Sequence, residues 1–158
     1  MINPFMLNIF FAFGFSAVLG QFSLSGFIGG FVVGYFALWL TKPLYGDARY
    51  FSMLPRALVL TGYFIKELFI SNFRVLWDVI TPGHISRPGI VGVPLDAQTD
   101  LEILLVANLV SLTPGTLSID VSEDRKTLFV HVMFLEDVEE IRLSIKNGLE
   151  KRVLEVLR

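Results

Sequence analysis

The sequence lacks cysteine altogether, and its two histidines are the only side chains that ordinarily titrate near neutral pH. The absence of cysteine excludes disulfides, iron–sulfur clusters, thiolate metal sites and cysteine nucleophiles. The chain also lacks the H-x-x-x-H, G-x-S-x-G, Walker and G-x-G-x-x-G patterns of metal, nucleophile and nucleotide sites. The sequence therefore predicts a protein that is not an enzyme and that binds no metal and no cofactor.

The two histidines are both explained by ordinary structural positions. His131 lies within an alternating strand pattern, which predicts a packed or sheet-surface side chain rather than a ligand. His84 follows Pro82 and Gly83 in a linker, which predicts a loop residue rather than a proton carrier.

Charged side chains are missing from residues 1–41, because Lys42 is the first in the chain. Hydrophobic residues make up 53% of the sequence and charged residues 18%, whereas soluble domains have about 45 to 50% apolar and about 25% charged residues. The basic start and the cleavage pattern of a signal peptide are both absent. The composition therefore predicts that residues 1–41 are held in a lipid bilayer.

Two apolar runs, Pro4–Leu19 and Leu24–Leu40, fill this opening segment. Each has about 16 or 17 residues, at the short end of the roughly 17 to 25 that cross a bilayer. The polar residues Gly20–Ser23 between them indicate a tight turn. Small residues spaced three and four apart let membrane helices approach closely. We expect this role for four residues of the second run: Gly26, Gly29, Gly30 and Gly34.

The net charge of −2 conceals two regions of opposite sign. Residues 42–87 carry six basic and three acidic side chains, and residues 88–158 carry seven and twelve. Lys and Arg beside a membrane segment mark its cytoplasmic side, so both ends of the hairpin and the C-terminal domain are expected in the cytoplasm. An interfacial aromatic belt is expected from four residues: Tyr35, Trp39, Tyr45 and Tyr50.

A third apolar stretch, Ala57–Ile80, begins after Pro55 and ends before Pro82. It predicts either an amphipathic helix in the membrane interface or a third crossing whose charges face a partner. The charges could be functional, or Arg74 and Asp78 could form an ordinary i,i+4 pair on a solvated edge. The candidates within this stretch are Lys66, Glu67, Arg74 and Asp78.

The remaining pattern predicts a small α+β domain with the order β-α-β-β-α. A capping box, T-x-x-E, opens a helix at Thr99 that stops before Pro114. Thr116–Val121 alternates, with Leu117, Ile119 and Val121 expected on the buried side. The other expected elements are a strand Ile90–Leu95, a strand Leu128–Phe134 and a helix from Asp137. In the second of these strands, Leu128, Val130 and Val132 are expected on one side and Phe129, His131 and Met133 on the other.

The expected organisation therefore has three parts. They are a transmembrane helical hairpin (1–41), a basic juxtamembrane segment with an amphipathic or third membrane helix and a linker (42–88), and a cytoplasmic α+β domain (89–158). Nucleic acid is not expected as a partner, because the domain is acidic and the basic groups lie beside the membrane segment.

The S-L-T-P-G-T-L run at residues 111–117, followed by V-H-V at 130–132, resembles the E subunit of the multisubunit Mrp-type Na⁺/H⁺ antiporter. Agreement extends to the N-terminal hydrophobic hairpin, to E-L-x-x-S-N at residues 67–72 and to the segment 90–95. The resemblance therefore covers essentially the whole chain. The family motif is carried by four residues: Thr113, Pro114, Gly115 and Thr116.

This resemblance implies an accessory, multi-pass subunit of a cation/proton antiporter in the bacterial inner membrane. Its expected partners are the lipid bilayer, small membrane subunits, and large subunits that are similar to proton-pumping subunits of respiratory complex I and carry the ion path. Its expected role is assembly and support. Two alternatives remain: a membrane-anchored module that senses a small molecule, and an independent ion carrier, which would have to form oligomers.

Overall fold

The computed structural model describes residues 3–20, 22–44, 49–83 and 85–158. The chain divides into two compact units, Met1–Leu54 and Pro55–Arg158, and each unit is described by itself. The positions predicted for Tyr45 and His84 lie outside the described residues. The three-part functional division at residues 41 and 88 stays a prediction.

The described part of the first unit contains two whole helices, a short 3₁₀ turn, Lys42–Leu44, and the beginning of a third helix, Arg49–Ile80. Helix α1 spans Pro4–Val18 and helix α2 spans Leu24–Leu40. Each begins at a polar cap: the Asn3 side chain accepts from the Phe5 N–H, and the Ser23 side chain accepts from the Gly26 N–H. Both helices therefore form where the apolar runs predict them.

Helix α1 contacts α2 through a line of short, buried side chains, which are Asn8, Ala12 and Ser16. At Gly30 of α2, an added Cβ would lie 2.9 Å from the Ala12 carbonyl oxygen. At Gly34, an added Cβ would strike the Asn8 side chain. The predicted close approach thus occurs at Gly30 and Gly34, because a side chain at either position would separate the helices.

Both helices of the hairpin are short. Helix α1 has 15 residues and α2 has 17. None of the described helices combines sufficient length with sufficient hydropathy to cross a membrane.

Helix α3 spans Arg49–Ile80 and includes Pro55, so the prediction that the helix starts after this proline is wrong. A proline inside a helix leaves the carbonyl four residues earlier without its usual N–H donor. That carbonyl belongs to Phe51, and the Tyr35 hydroxyl donates to it at 3.1 Å. A tyrosine from α2 therefore satisfies the acceptor that Pro55 leaves open.

The second unit has a three-stranded antiparallel sheet with the order β1-β3-β2. Its helical layer covers one face of the sheet, where valines and leucines of the strands form the core with α4 and the C-terminal helices. The elements are β1 Gly89–Pro94, α4 Asp100–Leu112, β2 Thr116–Val121, β3 Thr127–Val132, α5 Val138–Ile145, a π-helical segment Lys146–Glu150 and α6 Lys151–Leu157. The predicted order β-α-β-β-α is therefore confirmed.

Strand β2 departs from its predicted faces. Leu117 and Ile119 are exposed, whereas Val121 packs against the core. A register shift between Ser118 and Asp120 inserts an extra residue into the strand, and such a bulge reverses the alternation beyond it. The expectation that Leu117, Ile119 and Val121 share one buried side is thus wrong.

The predicted final helix contains a wide turn at its centre, the π-helical segment Lys146–Glu150. A π turn adds one residue to the helical repeat and rotates the residues around it. Gly148, Leu149 and Glu150 are all buried within this turn. The rotation therefore carries a carboxylate into the interior of the unit.

Candidate functional site

A cavity of about 130 Å³ in the second unit brings together residues of the family motif and charged candidates of α3. Glu67 and Arg74 of α3 line it, as do all four motif residues, Thr113–Thr116. Its remaining wall is largely apolar and comes from α4, β3 and the C-terminal helices. These lining residues include Val110, Val132, Phe134, Ile141, Ile145 and Leu149.

The four motif residues form a tight turn that ends α4 and begins β2. Thr113 is extended, with φ −84° and ψ 119°, as the residue before a proline prefers. Gly115 has φ +87°, and the Thr116 N–H donates to the Thr113 carbonyl at 3.1 Å. Proline second and a left-handed glycine third are the signature of a type II turn. The motif therefore encodes the reversal of the chain.

The two threonine hydroxyls donate to carbonyls in the last turn of α4. Thr113 Oγ1 donates to the Leu109 carbonyl at 3.0 Å, and Thr116 Oγ1 donates to the Val110 carbonyl at 2.7 Å. The Met133 N–H then donates to the Gly115 carbonyl at 2.8 Å. Buried helix ends need such partners, so both hydroxyls act within the fold.

The polar groups of α3 stand at one side of the cavity. The Arg74 guanidinium lies 5.9 Å from the centre of the Phe134 ring, within the range of a cation–π contact. The same ring lies against the turn, where a Cβ added to Gly115 would be 3.6 Å from it. Phe134 therefore connects the charged side of α3 with the family motif.

The other two predicted charges serve different positions. Lys66 is exposed, with its ammonium 5.9 Å from the Tyr63 ring. Asp78 is buried and accepts from the N–H groups of Ile85 at 2.6 Å and Ser86 at 3.1 Å. Because these donors follow the turn after α3, Asp78 fixes the linker that leads to β1. The structure thus directs Arg74 and Asp78 to different partners.

Two buried carboxylates hold the loop between β1 and α4, and sequence reasoning missed one of them, Glu150. Glu150 Oε1 accepts from the N–H groups of Asp96 at 2.6 Å and Ala97 at 3.0 Å. Glu102 Oε2 accepts from those of Gln98 at 2.7 Å and Thr99 at 3.1 Å. The capping box indicated Glu102, but no pattern indicated Glu150, because a regular helix would not bury it.

These two carboxylates have opposite electrostatic environments. A hydrogen bond from Arg158 and those from the loop lower the pKa of Glu102 to about 2. Burial raises the pKa of Glu150 above its ordinary value. Its Oε2 is buried and has no hydrogen-bond partner among the described residues. Desolvation therefore outweighs the two N–H donors at Glu150.

A second contact joins α3 to the π-helical segment. The Arg152 guanidinium lies 3.7 Å from the centre of the Tyr63 ring and donates to the Gly148 carbonyl at 2.7 Å. A Cβ added to Gly148 would lie 2.5 Å from the Tyr63 hydroxyl oxygen. Only glycine leaves room for this tyrosine, so the wide turn is fitted to α3.

The arrangement is suited to holding elements together rather than to bond chemistry. The hydroxyls of Thr113 and Thr116 both donate to backbone carbonyls rather than to a base. Within the described ranges, no three His, Cys, Asp or Glu side chains are grouped so as to hold a metal ion.

The sequence matches the family model described as "Na+/H+ ion antiporter subunit" over residues 8–156. It is 35% identical to the E subunit of the Na⁺/H⁺ antiporter of Bacillus subtilis over 158 residues, which are all of both chains. Identity to the corresponding E subunit of Alkalihalophilus pseudofirmus is 33%, again over all of both chains.

Two solved structures contain similar chains. One, in the Mrp complex of a Dietzia species, is 26% identical with a TM-score of 0.51, and the match covers 65% of this chain and 94% of that one. The other, in an archaeal membrane-bound sulfane sulfur reductase, is 19% identical with a TM-score of 0.57, covering 96% and 98%. The second likeness concerns the fold alone.

Proposed function

The chain belongs to the family of Na⁺/H⁺ antiporter E subunits, and we propose that it is an accessory subunit that supports assembly and stability of an antiporter complex exchanging Na⁺ for protons. The match to these relatives over the full length carries this proposal. The partners would be the other subunits of an Mrp-type complex, since a similar chain occurs in one. The ion path would lie mainly in the large subunits.

We propose that α1 and α2 lie in the bilayer as a hairpin. Neither helix has a charged residue, and large apolar side chains such as Phe10, Val18 and Leu40 project from its surface. At about 1.5 Å per residue, helices this short are shorter than the roughly 30 Å hydrocarbon layer. Local thinning of the bilayer accommodates such a difference at modest cost.

For α3, we propose an amphipathic helix at the membrane interface rather than a third crossing. Glu67 and Arg74 line the cavity of the second unit, while Phe69, Phe73 and Trp77 are exposed. A charged side and an apolar side of this kind suit an interface. An even number of crossings then leaves the second unit in the cytoplasm, as the basic residues after α2 favour.

We propose that Thr113–Thr116 act through the fold. Their hydroxyls, proline and positive-φ glycine are all engaged in the turn, so substitutions would weaken the second unit before they affected any chemistry. Because this turn and α3 line the same cavity, a distorted turn would also disturb the packing of α3.

Purification of a tagged chain from its native membrane in a gentle detergent tests the accessory role. The expected result is a defined large complex that contains the other antiporter subunits. A lone monomer or a homo-oligomer would instead favour a membrane-anchored sensing module.

Two variants sharpen the test. A Pro114→Gly complex is expected at reduced abundance, with transport falling in proportion to the assembled complex. Full assembly without transport would refute a purely structural motif.

The topology is tested with Lys126→Cys, which gives a unique thiol because the chain lacks cysteine. Labelling only from the cytoplasmic side is expected, and external labelling would require an odd number of crossings.

A further inference from the structure

The helical layer covers one face of the sheet, and the opposite face is apolar and open. This outer face is formed by Ile90, Leu117, Ile119 and Phe129, with His131 and Asp120 among them. The four apolar side chains are 65%, 54%, 51% and 38% exposed. Antiparallel sheets that face water on one side normally carry polar residues there. The outer face is therefore not adapted to water.

The register makes these residues one continuous patch. Ile90 and Leu117 both pair with His131, one on each side of the central strand. In the next row, Gly92 and Asp120 both pair with Phe129. Directly paired residues lie on the same side of a sheet. The patch thus crosses all three strands.

The bulge in β2 adds Asp120 to this patch. Before the extra residue, Leu117 pairs with His131 on the outer face, and beyond it Asp120 pairs with Phe129 on the same face. Ser118 faces the helices, where its hydroxyl donates to the Ala107 carbonyl at 2.9 Å. Bulges re-aim side chains at functional surfaces. Here the bulge places a carboxylate beside two large apolar residues, while Val121 beyond it returns to the core.

We propose that the outer face binds a cytoplasmic apolar segment of another membrane subunit of the same complex, with a Lys or Arg of that segment beside Asp120. This inference rests on the proposed function, because it requires both chains to be anchored in one membrane. It adds to that function the surface through which the second unit contacts its partner.

The size of the patch argues against a second copy of this chain as the occupant. The four apolar residues expose an area on the order of 400 Å², whereas a stable free-standing dimer buries about 800 Å² on each partner. A small contact is sufficient between chains that are already held together, because tethering raises the effective concentration. Chains anchored in one complex meet that condition.

Charge supplies the second argument. Residues 88–158, which include the whole sheet, carry seven basic and twelve acidic side chains, so this part of the second unit attracts positive segments. Cytoplasmic loops of membrane proteins are enriched in Lys and Arg. Asp120 is exposed at the edge of the patch, and its carboxylate accepts from the Val121 N–H at 2.8 Å, leaving further acceptor positions open. An apolar loop segment with a basic residue matches both properties.

A photo-crosslinking residue at position 117 tests the proposal in the purified complex. The matched control is position 143, because Leu143 of α5 is 56% exposed and Leu117 is 54% exposed. The expected result is a crosslink from position 117, and none from position 143, to one other membrane subunit. A crosslink from position 117 to a second copy of this chain, or none to any subunit, would overturn the proposal.

A substitution pair supplies an independent measurement. Leu117→Glu is expected to lower recovery of the other subunits with the tagged chain by about fivefold or more, as at interface centres. Leu143→Glu is expected to change it by less than about twofold. Hydrogen exchange of the β3 amides in each free variant shows whether the sheet is intact. Equal recovery with both variants would overturn the proposal, whereas a wild-type chain that purifies alone would overturn the proposed function itself.

Discussion

The helical hairpin of the first unit, formed by α1 and α2, and the second unit, called the sheet unit below, pack their interiors in opposite ways. In the hairpin, short residues meet at the contact and large ones such as Phe10 and Phe36 face outward. In the sheet unit, large aliphatic residues such as Leu128 and Val130 are almost fully buried. In water, burial of apolar area drives packing, whereas in lipid it offers no advantage and close approach of backbones does. Each unit thus has the interior that its proposed surroundings favour.

The polar groups follow the same division. Within the hairpin unit, the buried Asn8 donates its amide N–H to the Tyr50 hydroxyl at 2.7 Å. The sheet unit buries whole carboxylates, at Glu102 and Glu150, against consecutive backbone N–H groups. Neutral hydrogen bonds suit an apolar setting, because a buried charge is costly without several donors. The difference can be tested with substitutions in each unit.

The largest effect is expected in the core of the sheet unit, from Leu128→Ala. This side chain is fully buried, and removing it leaves a cavity that typically costs about 2 to 5 kcal/mol. The matched control is Leu117→Ala on the outer face, expected to change stability by less than about 0.5 kcal/mol in the free subunit. Hydrogen exchange of the sheet amides measures both. Equal losses would mean that the outer face is packed in the free chain.

Next in size is Gly34→Val in the hairpin. The new side chain would collide with Asn8, and overpacking of this kind costs about 1 to 3 kcal/mol. Gly14→Ala is the control, because nothing lies within 4 Å of the added atom, and helix propensity should raise stability by about 0.5 to 1 kcal/mol. Unfolding in detergent, followed by Trp39 fluorescence in a Trp77→Phe background, measures both. A stable Gly34→Val hairpin would contradict close packing.

The sequence predicted most of the regular structure because local signals were strong. The capping box fixed the start of α4 at Thr99, and the Pro114-Gly115 pair fixed its end. The two apolar runs likewise predicted both hairpin helices. Such signals act within a few residues, so they can be interpreted without knowing the fold.

The errors arose where a distant residue decided the local structure. The helix continues through Pro55 because Tyr35 satisfies the Phe51 carbonyl, a contact that no local pattern contains. The bulge in β2 and the π turn each add one residue to a regular repeat, and periodicity alone cannot locate such additions. For the cavity, the sequence supplied its charged and motif residues, but only the fold brought them together.

A smaller loss is expected from Gly115→Ala in the motif turn. Its φ of +87° lies in the left-handed region, where a residue with a Cβ costs about 1 to 2 kcal/mol. Gly83→Ala is the control, since it has open space around the added atom. Hydrogen exchange of the β2 amides measures the difference. If the two variants were equally stable, the glycine of the family motif would have to be explained by a contact outside this chain.

The two buried carboxylates of the sheet unit are expected to make its stability depend on pH. Glu102 has a pKa of about 2, below its ordinary value, so its stabilisation is present above about pH 4.5 and is lost as the pH falls toward 2. Glu150 has a raised pKa, so its contribution is complete below about pH 4.5 and is lost as the pH rises through that raised value.

Glu102→Gln should therefore flatten the acid side of the stability profile, and Glu150→Gln should flatten the side toward neutral pH. Denaturant unfolding of the full chain in detergent from about pH 3 to about pH 8, followed by circular dichroism, measures both profiles. Each variant serves as the control for the other, because the two glutamates accept from neighbouring N–H groups of one loop. Identical profiles for the two variants would show that the π turn does not place Glu150 in a desolvated site. The contrast between a neutral hairpin interior and a charged sheet-unit interior would then rest on Glu102 alone.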